Sequence, residues 1–600
     1  MSPAVVSVAT LALAIGLLAS NRVRFDVVAV IVLAILGVTG VVGPSALFVG
    51  FSSTPTVVIA AMLVLGGGLR RTGAIDVLSR GLLRVARRWP QAYRPVMLAT
   101  AALPSAFVSD VGLMGIMLPT VMSMRRRLRL SAPEILMPLA ISIALGGLLS
   151  MVGSAGNIIA NGDLGAAHRA PLALFAITPL GIVVVMAGIG AVLVTGRWLL
   201  PHGGADGDDG DGAGAQLLDL DCVAELDAAA LTTDDRRPGR AEMEELVSGH
   251  GEREVRLLGI AQPDGSVDQP GHAARVRSGA SLLVRARAGE LLDSGLLVTD
   301  QDAGPAEPAP EANGHELDVV EVLVPPGSPL AGHRLGEAAL ERRFGMQPVA
   351  LAWRRGMGLA PLRDVRLREG DVILVTATER GIHVERRELL VLAHLEHHLR
   401  PVTWRTIVSS VIVAAALVLV ALSLLPLTVA LATGAVALVV TGCLPLDDAY
   451  RAIDWRLVFL LGGFIPLGDV LSSSGVIGHV GRFVASSAGP AGPEVIMGVF
   501  FVLAALLTQV LSNAATALVL SPLALSVAGS EHLSPVPLLV AVMVAVSASP
   551  LTPLANKVNL MTTGPGHYRY RDFIRLGLVV TAASGAVTLL LGPLLFPFHP

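Results

Sequence analysis

Lysine is almost absent from this chain: of its 44 basic residues only Lys557 is lysine, and the rest are arginine. Cysteine is nearly as scarce. Cys222 and Cys443 stand far apart in segments of different character, which excludes a disulfide framework and a zinc site. Aromatic residues make up 4% of the chain, too little material for a haem pocket or an aromatic cage. Charged residues are only 15%, and a formal net charge of -3 lacks the basic excess that nucleic acid demands. No Gly-rich phosphate loop, His-Glu-x-x-His or Gly-x-Ser-x-Gly pattern falls where it would carry chemistry. What is present is apolar: 53% hydrophobic residues and a mean hydropathy of +0.68 over 600 residues place the chain in a bilayer. With 64 glycines and 38 prolines, much of the backbone must be broken, which a membrane tolerates only where protein or a water-lined cavity satisfies the freed N–H and C=O groups.

Apolar runs of spanning length fall in two blocks, 1–200 and 403–600, around some 200 residues of soluble composition. The run at 4–18 has neither a positive leading region nor a small-residue cleavage site, so it reads as a span. Signals recur between the blocks at a fixed offset. Gly73 matches Gly475, Ser109-Asp110 followed by Pro119 matches Ser512-Asn513 followed by Pro522, and Asn157 matches Asn559, which predicts an internal duplication. Arginine sets orientation, because Arg-rich loops stay cytoplasmic. Residues 70–94 read as an interfacial helix on that face, and the stretch at 95–124, ending at Arg125, Arg126 and Arg127, reads as a re-entrant hairpin with Ser109-Asp110 at its tip. Five crossings per block invert the second relative to the first. The expected fold is a polytopic α-helical membrane protein of two inverted repeats, each of five spans and one re-entrant hairpin, a transporter architecture with binding at the midplane.

Between the blocks, 201–214 reads as a flexible Asp/Gly-rich linker. Two small α+β modules follow, at 215–300 and 315–388, separated by a linker at 301–314; residues 275–284 align with 366–375. A last linker, 389–402, holds His394, Glu396, His397 and His398, which read as a solvated cluster and not as a metal box. Asp447, Asp448, Arg451 and Asp454 read as surface charge, and Tyr568 and Tyr570 as interfacial anchors.

A broken helix offers the positive end of a half-helix and bare carbonyls, so it can hold anions and cations together. Four breaks are legible: the tips at 104–112 and 508–516, and polar interruptions at 146–157 and 547–559. The Ser512-Asn513 tip with Pro522, the Gly153-Ser154 to Asn157 segment, and Thr552-Pro553 through Asn559-Leu560-Met561 to Gly564-Pro565-Gly566 and Tyr568 resemble the divalent anion:sodium symporter family of the ion transporter superfamily. Gly327-Ser328-Pro329-Leu330-Ala331-Gly332 and Leu367-Arg368-Glu369-Gly370-Asp371 resemble the TrkA-C modules of potassium-uptake regulators.

The resemblance implies an elevator-type carrier in a bacterial inner membrane, a homodimer among lipid with its soluble modules cytoplasmic. It would move a di- or tricarboxylate or sulfate with sodium, need no other cofactor, and take a small-molecule ligand on the modules. It implies a first cation site from Ser105, Ser109, Asp110, Gly153 and Asn157, and a second from Thr508, Ser512, Asn513, Ser549 and Thr552. The anion site would be shared by Asp110, Asn157, Asn513, Thr552, Pro553, Asn556, Lys557 and Asn559. The first tip departs from the family, with Asp110-Val111 in place of a neutral residue and a hydroxyl, and Ala514 follows Asn513. An Asp at a midplane tip favours a cation or a titratable proton, or else caps its half-helix. Lys557 would neutralise the anion, replace a cation, or snorkel toward the cytoplasmic end. The alternatives that stay open are a cation/proton antiporter or anion efflux carrier of the same superfamily and, further off, a ligand-gated channel.

Overall fold

The structure is a computed structural model. Apart from a few isolated positions, it describes residues 2–20, 23–75, 93–128, 131–167, 169–200, 403–476, 492–566 and 568–599 of the apolar blocks. Between them it describes 221–227, 256–262, 266–268, 281–287, 318–352, 360–377 and 388–392. Most of the Arg-rich segment after Ile75, the linkers at 201–214 and 301–314 and the histidine cluster lie outside the described residues, whereas the expected last linker begins with a strand at Leu390–Val391, its Leu390 buried, that pairs into the insert's sheet. The chain divides into two compact units, Met1–Gly203 with Glu396–Pro600, and Gly204–Leu395.

The first unit is helical. Its helices are α1 (Pro3–Ser20), α2 (Phe25–Val38), α3 (Thr54–Arg71), α4 (Tyr93–Ser105), α5 (Asp110–Leu128), α6 (Ala132–Gly146), α7 (Ala155–Ala166) and α8 (Thr178–Leu199). After the insert come α9 (Trp404–Ala421), α10 (Leu427–Val440), α11 (Trp455–Ser473), α12 (Pro493–Leu507), α13 (Asn513–Ser530), α14 (Val536–Ser547), α15 (Lys557–Thr563) and α16 (Tyr570–Leu595). Short helices at Pro44–Leu47 and Leu446–Ala452 also correspond, so among the described residues each α-helix of the first block has a counterpart in the second, while the 3-10 turns at Val49–Ser52 and Gly147–Leu149 have none. Six of these stretches, among the described residues, are long and apolar enough to cross a membrane, and others are shorter apolar helices. Proline opens many of them: α3, α6, α8, α12 and α14 carry it in the first turn, where an N–H would have no intrahelical partner.

Packing sorts the sixteen helices into two groups. A frame is built by α1–α3 and α9–α11, with α11 against α2 and α10 against α3. A core is built by α4–α8 and α12–α16, with α8 against α16, α4 against α6, α12 against α14 and α13 against α7. Frame and core meet chiefly where α3 packs on α7 and α11 on α13, along a seam of buried apolar residues that includes Leu65, Leu460 and Leu467 on one side and Ile159, Leu511 and Ala517 on the other.

Both breaks are gripped by a glycine of the last helix in their own block. A Cβ at Gly577 in α16 would collide with the carbonyl of Pro550, and one at Gly181 in α8 with that of Leu148.

Several expectations change in detail. Tyr568 is buried, not interfacial: its hydroxyl donates to Pro133 O (2.6 Å) and accepts from Met137 N (2.8 Å), standing between two backbone groups one turn apart in α6. Tyr570 is exposed. The acids near 450 are engaged and not idle surface charge. Asp448 pairs with Arg71, and Asp454 caps α11 by accepting from Arg456 N (3.2 Å). Sequence alone cannot see these partners, which lie far away or across a turn.

The second unit is built on one eight-stranded antiparallel sheet in the order β3-β2-β4-β1-β6-β7-β5-β8. Its strands are β1 (Asp221–Asp227), β2 (Arg256–Ala261), β3 (Val267–Asp268), β4 (Ser281–Arg287), β5 (Asp318–Leu323), β6 (Met346–Ala352), β7 (Val372–Ala377) and β8 (Leu390–Val391). The order β2-β4-β1 recurs as β6-β7-β5, and pairing of Val223 with Leu351 joins the two halves edge to edge. The expected pair of modules is thus fused into a continuous sheet.

Candidate functional site

The site residues lie at the four breaks, and the fold crosses them. α7, which follows the first break, packs on α13, the helix that leaves the second tip; α15, which follows the second break, packs on α5, which leaves the first tip. At the first tip the Ser105 hydroxyl lies 2.7 Å from Asp110 Oδ1 and 2.6 Å from Ile143 O. At the second, Thr508 Oγ1 donates to Asn513 Oδ1 at 2.9 Å, the same contact at the corresponding positions. Asn556 Oδ1 accepts from Val558 N (3.1 Å) and caps α15, the helix that packs on α5 behind the Asp110 tip. The breaks also touch through Ser154 and Ser547, 3.5 Å apart.

The turns are held by amides. Asn157 Nδ2 donates to Gly147 O (3.0 Å) and Ser150 O (3.1 Å), and Ser150 in turn donates to Ala106 O, tying the first break to the first tip. Gly153 lets this turn close, since a Cβ there would sit 2.5 Å from Gly147 O. In the second block Asn559 Nδ2 donates to Thr552 O (3.3 Å), and Gln509 Nε2 donates to Ser549 O (2.8 Å).

The acceptor ends of these side chains are left over. Asn157 Oδ1 and Asn559 Oδ1 are both buried without a hydrogen-bond partner, as are Ser549 Oγ and Gln509 Oε1. A buried amide oxygen with no donor costs about 1–3 kcal/mol, and the same orphan recurs at two corresponding positions, where a hydrogen-bond donor or a cation would satisfy it. Neutral hydroxyl, amide and carbonyl oxygens suit a hard monovalent cation and not a transition metal. Among the described residues no group of three or more His, Cys, Asp or Glu side chains could hold a metal ion. The N-termini of α5, α7 and α13 open at the same breaks, with Ser154 and Ser512 as N-cap residues of the last two, and they present positive dipole ends suited to an anion.

The remaining expected residues are placed less closely. Ser109 is half-buried at the tip, with its amide beside Gly66 of α3. Ser512 caps α13 by accepting from Ala515 N (3.3 Å), Thr552 Oγ1 accepts from Ala555 N (3.1 Å), and Pro553 is buried. The Lys557 ammonium lies 3.4 Å from Asp454 Oδ2. Sequence reasoning missed Gln509, whose polarity inside an apolar run was the available signal. It also missed Asp163 in α7, whose Oδ2 is buried without a hydrogen-bond partner.

Comparison with known proteins places this arrangement. A family model described as citrate transporter matches residues 15–545. An uncharacterized transporter of Synechocystis, sll0640, is 30% identical over 96% of this chain and 94% of its own length. The uncharacterized transporter YfbS of Escherichia coli is 28% identical, covering 98% of each chain. A protein of Chlamydomonas reinhardtii named sodium/sulfate cotransporter 2 is 24% identical over 62% of this chain and 43% of its own.

Proposed function

Since the chain belongs to the citrate transporter family, we propose that it is a secondary carrier of a small anion, of the di- or tricarboxylate or sulfate class, driven by sodium. It is a multi-pass membrane transporter and not an enzyme. The observation that carries the coupling reading is the pair of orphaned amide oxygens, Asn157 Oδ1 and Asn559 Oδ1. Each would receive a sodium ion together with oxygens of its own break and tip: Ser105, Ser109, Asp110 and Gly153 in the first site, Thr508, Ser512, Asn513, Ser549 and Thr552 in the second. The anion would sit between the tips, where the dipole ends of α5, α7 and α13 converge with Pro553, Asn556 and Lys557. The name of the Chlamydomonas relative supports sodium and sulfate as the pair to try first.

Residues 1–200 and 403–600 act in this reading as inverted repeats, with binding at the midplane. Division into frame and core supports an elevator movement in which the core, carrying both tips and both breaks, slides along the apolar seam. The insert would lie in the cytoplasm of a bacterial cell as two TrkA-C-like modules that sense a small ligand, and the carrier would work as a homodimer in the inner membrane.

Asp110 supports a second reading of the coupling ion. A carboxyl held by Ser105 at a tip can bind and release a proton in place of sodium.

Thermal unfolding of the purified protein with sulfate, succinate, citrate and phosphate, each in sodium or potassium, separates these readings, since a ligand of the native state raises apparent stability with occupancy. Sodium coupling predicts that one anion class stabilises the protein in sodium and much less in potassium. Equal stabilisation in both cations moves the coupling to Asp110, and stabilisation by none of the anions refutes the anion site.

A further inference from the structure

We propose that the chain's single lysine ties the core to the frame in the arrangement seen here and must let go for the core to move. The inference rests on the elevator reading above. Lys557 opens α15, which packs against α5 and α6 of the core. Its Nζ lies 3.4 Å from Oδ2 of Asp454, which caps α11, a helix packed on α1 and α2 of the frame. Two other ion pairs of the bundle stay inside one group, Arg71 with Asp448 in the frame and Arg94 with Glu134 in the core. The Lys557–Asp454 pair therefore spans two bodies that also meet along a seam of apolar residues, and apolar contacts change little in energy as one surface slides over another.

An ion pair does not share that tolerance. Coulomb attraction falls with distance, and a slide of about one helical turn, roughly 5 Å, would part a pair that is already 3.4 Å apart. The tie thus lowers the energy of this arrangement alone. Lysine suits such a tie because its ammonium is a compact point charge on a flexible stem, which re-forms a pair without the fixed planar fit of a guanidinium. Both side chains are partly exposed, 41% for Lys557 and 31% for Asp454, so the pair is a modest bias and not a lock.

The test is the population of core positions in full-length protein reconstituted in liposomes. With Cys222 and Cys443 replaced by serine, spin labels at Leu424→Cys on the frame side and Ser530→Cys on the core side report the distance between the groups. Asp454→Asn keeps the helix cap and removes the charge; Lys557→Gln removes the other partner. Each is expected to move the ratio of arrangements about two- to fivefold away from the present one, the scale of a partly exposed pair. The double variant is expected to move it no further than either single variant, because the two share one interaction. Two arrangements with an unchanged or oppositely shifted ratio in Asp454→Asn and Lys557→Gln, or shifts that add in the double variant, would overturn the tie and leave the movement standing. A single unvarying distance in all variants during active transport would overturn the movement itself, and the tie with it.

Discussion

Asn157 and Asn161 sit one turn apart on α7 and offer a controlled comparison. Each amide donates where the structure needs it: Asn157 to Gly147 O and Ser150 O, Asn161 to Leu172 O. They differ at the oxygen. Asn161 Oδ1 accepts from Leu172 N at 2.7 Å, whereas Asn157 Oδ1 is buried with no partner. Replacing either by alanine removes two hydrogen bonds, worth about 0.5–1.5 kcal/mol each, so both variants should lose about 1–3 kcal/mol in sodium-free buffer. Only Asn157→Ala also removes a cation ligand. At a sodium concentration a hundred times the dissociation constant, wild-type protein gains about 2.7 kcal/mol. A tenfold weaker site gives up about 1.4 kcal/mol of that gain. The assay is apparent melting temperature against sodium chloride, with potassium chloride holding ionic strength constant. Asn161→Ala should shift the whole curve down without changing its rise, and Asn157→Ala should lower the curve and flatten it. If Asn157→Ala rises with sodium as steeply as wild type, or if Asn161→Ala flattens equally, the orphaned oxygen is not a sodium ligand.

Two other changes probe the packing around the site. Tyr568→Phe strips a buried hydroxyl from between Pro133 O and Met137 N and should cost about 1–3 kcal/mol in unfolding while leaving anion affinity unchanged. Gly577→Ala drives a methyl group into the Pro550 carbonyl at the second break and should cost about 1–3 kcal/mol, read as a lower melting temperature and a smaller monodisperse fraction on size exclusion.

Much of the bundle can be read from the chain because its breaks are punctuated by residue types with local meaning. Ser512 before Asn513, Pro119 and Pro522, and Asn157 and Asn559 mark caps, kinks and turns wherever they fall, so their spacing alone points to two matched blocks. Local chemistry also explains why Ser512 and Asn556 could be picked out, since each bonds a backbone N–H two or three residues away. What cannot be read is which break faces which. Ser547 meets Ser154 and Lys557 meets Asp454 only after the helices have packed, and no periodicity reports a contact across a hundred residues or more. Tyr568 misleads for a related reason: next to Arg569 and Arg571 it has the composition of an interfacial anchor, and only the geometry of α6 turns its hydroxyl inward. In the insert, the recurring strand pattern at 281–287 and 372–377 is visible in sequence, but the pairing of β1 with β6 that joins both copies into one sheet depends on edges that carry no signature.

Sodium-driven accumulation of anion is the most direct measurement of the central claim. Full-length protein is reconstituted in liposomes, and uptake of labelled sulfate and citrate is followed with an inward sodium gradient, with an equal potassium gradient, and after the gradient is collapsed. The account predicts saturable uptake of one of the two anions above its external concentration in sodium, with release when the gradient is collapsed. Flux that never exceeds equilibrium, or accumulation that proceeds equally in potassium, would contradict it.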